Sequence, residues 1–133
     1  MWLLKTEPSE FGYDDLERDG RAVWDGVSNP VALRNLKAMK AGERAIVYHT
    51  GKQKAAVGFA CVLRAAYPDP KLRNPRRVVV DLEPSGRLQR PVTLAEIKAL
   101  AAFAESPLVR QGRLSVVPLT AAQWKALEAA SRA

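Results

Sequence analysis

The chain has 133 residues, a length that encloses one hydrophobic core but not two independent ones, so we expect one domain over residues 1–133. No run approaches the roughly 18 apolar residues of a membrane span, and residues 1–10 lack the features of a signal peptide. We therefore expect a soluble, cytoplasmic protein without a membrane partner, and a monomer by default. The only cysteine, Cys61, excludes an internal disulfide and a multi-cysteine metal site.

Charge is distributed unevenly along the chain, whose formal net charge is +7. The first 25 residues carry 3 basic and 7 acidic side chains, whereas the residues from Gly26 onward carry 18 basic and 7 acidic ones. A surface rich in Lys and Arg attracts polyphosphates, so nucleic acid is the partner that this pattern favours. A basic composition that serves only solubility is the alternative.

The first third of the chain is predicted to begin with a short apolar strand at residues 1–5. Residues 13–17 have acidic side chains early and a glycine soon after them, which is typical of a short helix. Asn29 and Pro30 then provide an N-cap and a first-turn proline. Apolar positions at helical spacing follow them and predict a helix that closes at residues 41–42.

Three apolar runs in the middle of the chain predict strands at residues 45–49, 55–63 and 77–82. A basic, proline-rich segment at residues 67–77 separates the last two runs. Proline neither continues a helix nor pairs fully within a sheet, so this segment is expected to be a surface loop.

The last third is predicted to contain three helices and one strand. Thr93 and Glu96 have the spacing of a capping box, and a second, shorter helix begins at Ser106. Residues 114–119 predict a strand, and a C-terminal helix begins after Thr120. Strands and helices of unequal length without a βαβ rhythm favour an α+β or mixed-barrel fold over a doubly wound parallel sheet.

The inventory of reactive side chains disfavours most enzymatic functions. His49 is the only histidine, and no G-x-S-x-G nucleophile elbow accompanies it. The segment at Gly51 and Lys52 lacks the glycine spacing of a phosphate-binding loop. Cys61 and His49 are too few to hold the zinc ion of a deaminase. We therefore expect no catalytic residue, no cofactor and no metal.

Polar and aromatic residues are concentrated at the ends of the predicted elements, where they could form a pocket for a nucleobase. Such a pocket needs an aromatic face for stacking and polar groups that pair with the edge of the base. Trp24 offers stacking surface, although a purely structural place in the core is an equal alternative for it. The polar candidates are Lys5, Glu7, Asp25, Asn29, Thr50, Arg110, Gln111 and Arg113.

Several candidates also have a structural role as an alternative. Tyr48 and His49 fit packing at the end of a strand, and Asn29 already serves as a helix cap. Arg110 could bind carbonyl groups at the end of its helix. The two other tryptophans are assigned to the core.

These segments resemble the EVE domain family, which includes the thymocyte nuclear protein group and is related to the YTH and PUA folds. The resemblance extends over nearly the whole chain, in blocks that follow the order of the family. The blocks are residues 2–8, 24–27 with Asn29, 36–40 with Gly42, 48–50, 91–94 and 108–116.

The resemblance implies an α+β fold, a PUA-like mixed β-barrel of five or six strands flanked by short helices. It also implies a pocket for a modified base, such as methylated or hydroxymethylated cytosine in DNA. The family often has an arginine where this chain has Ser28, and an aromatic and a polar residue in place of Pro30 and Val31. These departures predict a different base preference or weaker binding. The implied ligand-binding residues are Lys5, Thr6, Glu7, Trp24, Val27, Asn29, Tyr48, His49, Thr50, Arg110, Gln111, Arg113 and Ser115.

The sequence therefore favours a non-enzymatic nucleic-acid-binding module that reads a flipped, modified cytosine in DNA. Three alternatives stay open at this point. The first is an RNA-binding PUA-like module, and the second is a domain that binds a small ligand. The third is a nucleoside-acting enzyme that uses His49 with Glu7 or Asp25 as acid or base.

Overall fold

In a computed structural model that describes residues 1–133, the chain forms one mixed sheet of six strands. Across the sheet the strands follow the order β2-β5-β4-β3-β1-β6, and only β1 and β3 run parallel. Because β2 and β6 are unpaired on their outer sides, the sheet closes only partway and forms a half-barrel. The strands are β1 (Trp2–Thr6), β2 (Ala22–Trp24), β3 (Arg44–His49), β4 (Ala55–Pro68), β5 (Val78–Thr93) and β6 (Val116–Pro118).

Five short helices flank the sheet, and four of them start at a residue whose side chain accepts a hydrogen bond from the first turn. These caps are Asn29, Thr93, Ser106 and Thr120, as the sequence predicts. None of the helices combines the length and the hydropathy that a membrane crossing requires. The helices are α1 (Tyr13–Asp19), α2 (Pro30–Ala38), α3 (Leu94–Lys98), α4 (Pro107–Arg110) and α5 (Ala121–Arg132), with a 3-10 turn at Ala101–Phe103.

The core is a continuous cluster of apolar side chains from the sheet and the helices. Leu3 and Leu4 of β1 and Ile46 of β3 are fully buried at its centre. The assignment of Trp2 and Trp124 to the core is confirmed, because both side chains are buried. Burial of this kind of apolar surface is the main favourable contribution to folding.

β4 and β5 are longer than the sequence predicts, because they continue beyond residues 63 and 82 to Pro68 and Thr93. The prolines within β5 do not end it, since β2 pairs only with residues 80–82 and the rest of β5 has one free edge. A missing N–H costs nothing at a free edge. Register shifts along the ladder between β4 and β5 bend both strands and curve the sheet.

Three further elements differ from the prediction. β2 was not predicted, because three residues are too few to show an alternating pattern. α2 ends at Ala38 because the next residue, Met39, has an extended backbone. The last strand, β6, has only three residues, Val116–Pro118. The predicted fold class, an α+β fold with a mixed barrel of five or six strands and short flanking helices, is confirmed.

Candidate nucleic-acid interface

A hollow of about 480 Å³, which we name the Trp24 hollow, lies at the ends of β1 and β2. Its size falls in the range of roughly 300–1,000 Å³ that is usual for small-molecule sites. Trp24 and Phe11 form its aromatic wall, with ring centroids 6.1 Å apart and planes at 86°. Only 7% of Trp24 is exposed, so this residue belongs to the core and offers the hollow a small part of its surface.

Three carboxylates line the Trp24 hollow, from Glu7, Glu10 and Asp25, and none of them forms an ion pair. Glu7 accepts hydrogen bonds from the Ser9 hydroxyl at 3.1 Å and the Ser9 N–H at 3.3 Å. The Thr50 hydroxyl donates to its other oxygen at 3.4 Å. The hollow is therefore rich in hydrogen-bond acceptors and suits a ligand edge that donates N–H groups.

The turn after β3 leaves room for the Glu7 carboxylate. Gly51 has φ +77°, and a Cβ at this position would lie 2.6 Å from Oε2 of Glu7. Glycine is the residue that adopts this backbone conformation without strain and leaves this space free. The Glu7 carboxylate can therefore lie against this turn at the wall of the hollow.

Lys5 is the only cation that lines the Trp24 hollow, and it also borders a smaller one. Its ammonium group donates to the carbonyl oxygen of Gly112 at 2.8 Å and lies 5.8 Å from the centre of the Tyr48 ring. Burial lowers the pKa of Lys5 below its ordinary value. The smaller hollow, which we name the Tyr48 hollow, measures about 150 Å³ and includes Thr50.

A third hollow of about 340 Å³, the Asn29 hollow, shares Gly112 with the Tyr48 hollow. Asn29, Gln111 and Arg113 provide its polar lining. The Oδ1 atom of Asn29 accepts the N–H groups of Val31 and Ala32 at 2.9 and 3.1 Å, as expected of a helix cap. Its amide nitrogen is the group that stays available to a ligand.

Both ring nitrogens of His49 are bonded within the chain. Nε2 accepts the backbone N–H of Tyr13 at 3.0 Å, so the ring proton is on Nδ1, which donates to Oε1 of Gln53 at 2.7 Å. His49 is buried and lines none of the hollows. It connects the start of α1 to the end of β3, and neither nitrogen is free to act as a general base.

Comparison with known proteins identifies the family of this chain. A model of the EVE domain matches residues 1–130. The chain belongs to the EVE domain family. This result confirms the resemblance seen in the sequence.

Three relatives of this EVE domain illustrate the similarity. Thymocyte nuclear protein 1 of Homo sapiens is 30% identical over 153 residues, which cover 90% of this chain and 68% of that protein. The NMR structure of Rpa0253 from Rhodopseudomonas palustris is 39% identical with a TM-score of 0.92, and the match covers 98% and 92% of the two chains. The structure of human THYN1 in complex with 5-methylcytosine containing DNA is 28% identical with a TM-score of 0.92, and covers 99% and 97%.

Most of the predicted site residues of this EVE domain lie in the three adjoining hollows. The Trp24 hollow contains Lys5, Thr6, Glu7 and Trp24, the Tyr48 hollow contains Lys5, Tyr48 and Thr50, and the Asn29 hollow contains Asn29, Gln111 and Arg113. The structure therefore brings together residues from five separate segments. Their part in binding stays a prediction.

Four predicted site residues line none of the hollows, and His49 is one of them. Val27 is buried in the core. Arg110 forms an exposed ion pair with Glu105 at 2.7 Å. Ser115 contributes only its backbone carbonyl, which accepts the N–H of Lys5 at 2.9 Å.

Some lining residues were not among the predicted ones. Phe11, Glu10 and Val23 line the Trp24 hollow, and Val23 is 49% exposed although it is apolar. β2 has only three residues, so no alternating pattern in the sequence shows that Val23 is exposed. Phe11 is positioned by the turn after β1, where its N–H donates to the carbonyl oxygen of Glu7 at 2.9 Å and its carbonyl oxygen accepts the Thr6 hydroxyl at 2.6 Å. No group of three or more His, Cys, Asp or Glu side chains is arranged to hold a metal ion.

Proposed function

We propose that this EVE domain binds nucleic acid and reads one flipped base, a modified cytosine in DNA, in the Trp24 hollow without catalysing a reaction. The observation that carries this proposal is a hollow of about 480 Å³ with an aromatic wall and three carboxylates that form no ion pair. The family relationship supports it, because human THYN1 has been solved with 5-methylcytosine containing DNA and has the same fold.

The polar lining favours a base that presents an amino group. Carboxylates accept hydrogen bonds from the N4 amino group of cytosine, and a good pair of this kind contributes about 1–3 kcal/mol of discrimination. Glu7 and Asp25, the two carboxylates of the hollow that the sequence predicts as contacts to the edge of the base, form no ion pair and are available to this amino group. The same carboxylates repel phosphate groups, so only the uncharged base is expected to enter.

The aromatic wall provides the second part of the recognition. Stacking of a base on an aromatic side chain contributes about 1–3 kcal/mol. Phe11 is more exposed than Trp24, so we expect Phe11 to share the contact with the face of the base. The internal bonding of His49 supports a binding role over a catalytic one, because the only histidine has no free ring nitrogen.

The test is a titration of labelled oligonucleotides that carry cytosine or 5-methylcytosine at one position, as single strands and as duplexes. Glu7→Gln and Asp25→Asn keep the size of each side chain and remove its charge. Each is expected to weaken binding of the cytosine series by about 1–3 kcal/mol, or roughly 5- to 150-fold. Glu83→Gln, a carboxylate of β5 outside the hollows and without an ion pair, is the matched control and should bind like the wild type.

Equal affinity of the wild type for cytosine and 5-methylcytosine strands would contradict the proposal that the domain recognises a modified base. Tighter binding of matched RNA than of DNA would favour the RNA-binding alternative. Thermal stabilisation by a free nucleoside without any oligonucleotide affinity would favour the small-ligand alternative. Turnover of a nucleoside that is lost in His49→Ala would favour the enzyme.

A further inference from the structure

A fourth hollow, lined by basic side chains, lies between α2 and the segment of residues 69–77. It measures about 460 Å³, and we name it the basic cleft. Arg34 and Lys37 line it from α2, and Arg76 and Arg77 line it from the opposite segment. No carboxylate lines the basic cleft, whereas three line the Trp24 hollow.

The cations of the basic cleft are available to a ligand. Arg34, Lys37 and Arg76 are exposed and form no ion pair with any carboxylate of the chain. Arg77 is held by one nitrogen only, because its Nε donates to the carbonyl oxygen of Val27 at 2.9 Å. Its two terminal nitrogens make no hydrogen bond within the chain, so a guanidinium group of fixed position faces the cleft.

The segment opposite α2 is ordered by its own hydrogen bonds. The Asp69 carboxylate accepts the N–H of Lys71 at 2.9 Å, and the Asn74 side chain accepts the N–H of Arg76 at 3.0 Å. The Asp69 N–H donates to the Arg77 carbonyl at 2.9 Å and closes the loop. Arg76 and Arg77 are therefore presented by a preorganised backbone, which reduces the entropy lost on binding.

Residues 24–30 separate two regions of opposite charge. Trp24, Asp25 and Gly26 line the acidic Trp24 hollow, whereas Ser28 and Pro30 line the basic cleft. A strand that inserts a base into the hollow must place its phosphates outside the three carboxylates, and the cleft across this segment offers four cations. The two regions together match the two parts of a nucleotide chain, an uncharged base and an anionic backbone.

We propose that the basic cleft binds the phosphodiester backbone of the strand whose base occupies the Trp24 hollow. This inference rests on the proposed function. Contacts to phosphate groups position a nucleic acid without reading its sequence. The cleft is therefore expected to contribute equally to binding of modified and unmodified strands.

The test removes two charges from α2 in the double variant Arg34→Gln and Lys37→Gln. Both side chains are exposed, and α2 packs through Ala32, Leu33 and Leu36, so the fold should be kept. Affinity for cytosine and 5-methylcytosine strands is expected to fall by a similar factor, on the order of tenfold. The slope of log affinity against log salt should become shallower by about 1.4 for single strands and about 1.8 for duplexes.

The matched control is the double variant Lys125→Gln and Arg132→Gln, which removes the same charge from exposed positions of α5. Its affinity and salt slope should equal those of the wild type. A reciprocal variant, Ser28→Arg, adds a cation at an exposed position of the cleft. It should strengthen binding several-fold and steepen the salt slope by about 0.7–0.9.

The inference is overturned if the Arg34 and Lys37 variant matches the α5 control in affinity and salt slope. A second result would also overturn it: inorganic phosphate stabilises the wild type but not this variant, and both proteins bind oligonucleotides with equal affinity. The cleft would then bind a free anion and not the backbone of a strand. Failure of the proposed function, the recognition of a modified cytosine in the Trp24 hollow, would give a different result. In that case the wild type would not distinguish the two bases, yet loss of the cleft charges would still weaken binding.

Discussion

The substitution Gly58→Ala tests the packing of Tyr13, the first residue of α1, against β4. Gly58 lies in β4 against the ring of Tyr13, where a Cβ would be 2.4 Å from Cζ and 2.5 Å from Cε2. The Tyr13 ring is fully buried. Its hydroxyl proton is shared between the carbonyl oxygens of Phe59 at 2.6 Å and Gly86 at 2.9 Å, and its oxygen accepts the N–H of Gly86 at 3.2 Å. The ring therefore cannot move away without losing these bonds.

We expect Gly58→Ala to lower the free energy of unfolding by about 2–4 kcal/mol. Overpacking of a core costs about 1–3 kcal/mol, and a displaced Tyr13 loses a hydrogen bond worth about 0.5–1.5 kcal/mol. Urea unfolding followed by tryptophan fluorescence measures this change. Gly112→Ala is the matched control, because a Cβ there would meet no atom within 4 Å, and it should stay within about 0.5 kcal/mol of the wild type.

A second variant checks that the clash with Tyr13 is the cause. Tyr13→Leu removes the ring atoms that the new methyl group would meet. Gly58→Ala should then cost at least about 1 kcal/mol less in the Tyr13→Leu background than in the wild type. Additive effects of the two substitutions, or a Gly58→Ala protein as stable as the wild type, would refute the packing argument.

Two further predictions concern other parts of the structure. His49→Ala should lower the free energy of unfolding by about 1–3 kcal/mol, because the buried N–H of Tyr13 loses its acceptor; a protein with unchanged urea unfolding would contradict this role. Hydrogen bonds from Arg90 and from the backbone of Thr93 lower the pKa of Glu96 from 4.5 to about 2, so its stabilising contribution is present above pH 4.5 and is lost as the pH falls towards 2. Glu96→Gln should remove this part of the acid dependence, which urea unfolding midpoints measured between pH 5 and pH 2 would show. The same loss of stability in the wild type and in Glu96→Gln would contradict this contribution of Glu96.

The starts of the helices could be predicted because their signals are local. Asn29, Thr93, Ser106 and Thr120 each cap a helix within three residues of their own position, in the way that their sequence spacing indicates. The strand ends could not be predicted in this way. β2 forms because it pairs with three residues of β5, which lie far along the chain. The local sequence pattern around β2 does not indicate this pairing.

The candidate site was predictable in its residue types but not in the direction of each side chain. Thr6 and Glu7 line the Trp24 hollow, whereas Val27, from an equally suggestive segment, is buried in the core. His49 was predicted as a site residue, and it is the only histidine of the chain. Its partner, the N–H of Tyr13, lies 36 positions earlier in the chain, and only the tertiary fold brings the two together.

The two unpaired sides of the half-barrel have a consequence for self-association. An open edge is a template on which a foreign strand can add by backbone hydrogen bonds, and long edges of this kind lead to fibrils. Here each edge strand has three residues, and β6 ends in Pro118. The longer free edge of β5, beyond its pairing with β2, contains Pro84 and Pro91, which have no backbone N–H to donate. An incoming strand would meet edges that are either short or interrupted by proline, so the open sides of the curved sheet are protected against pairing with a neighbouring molecule.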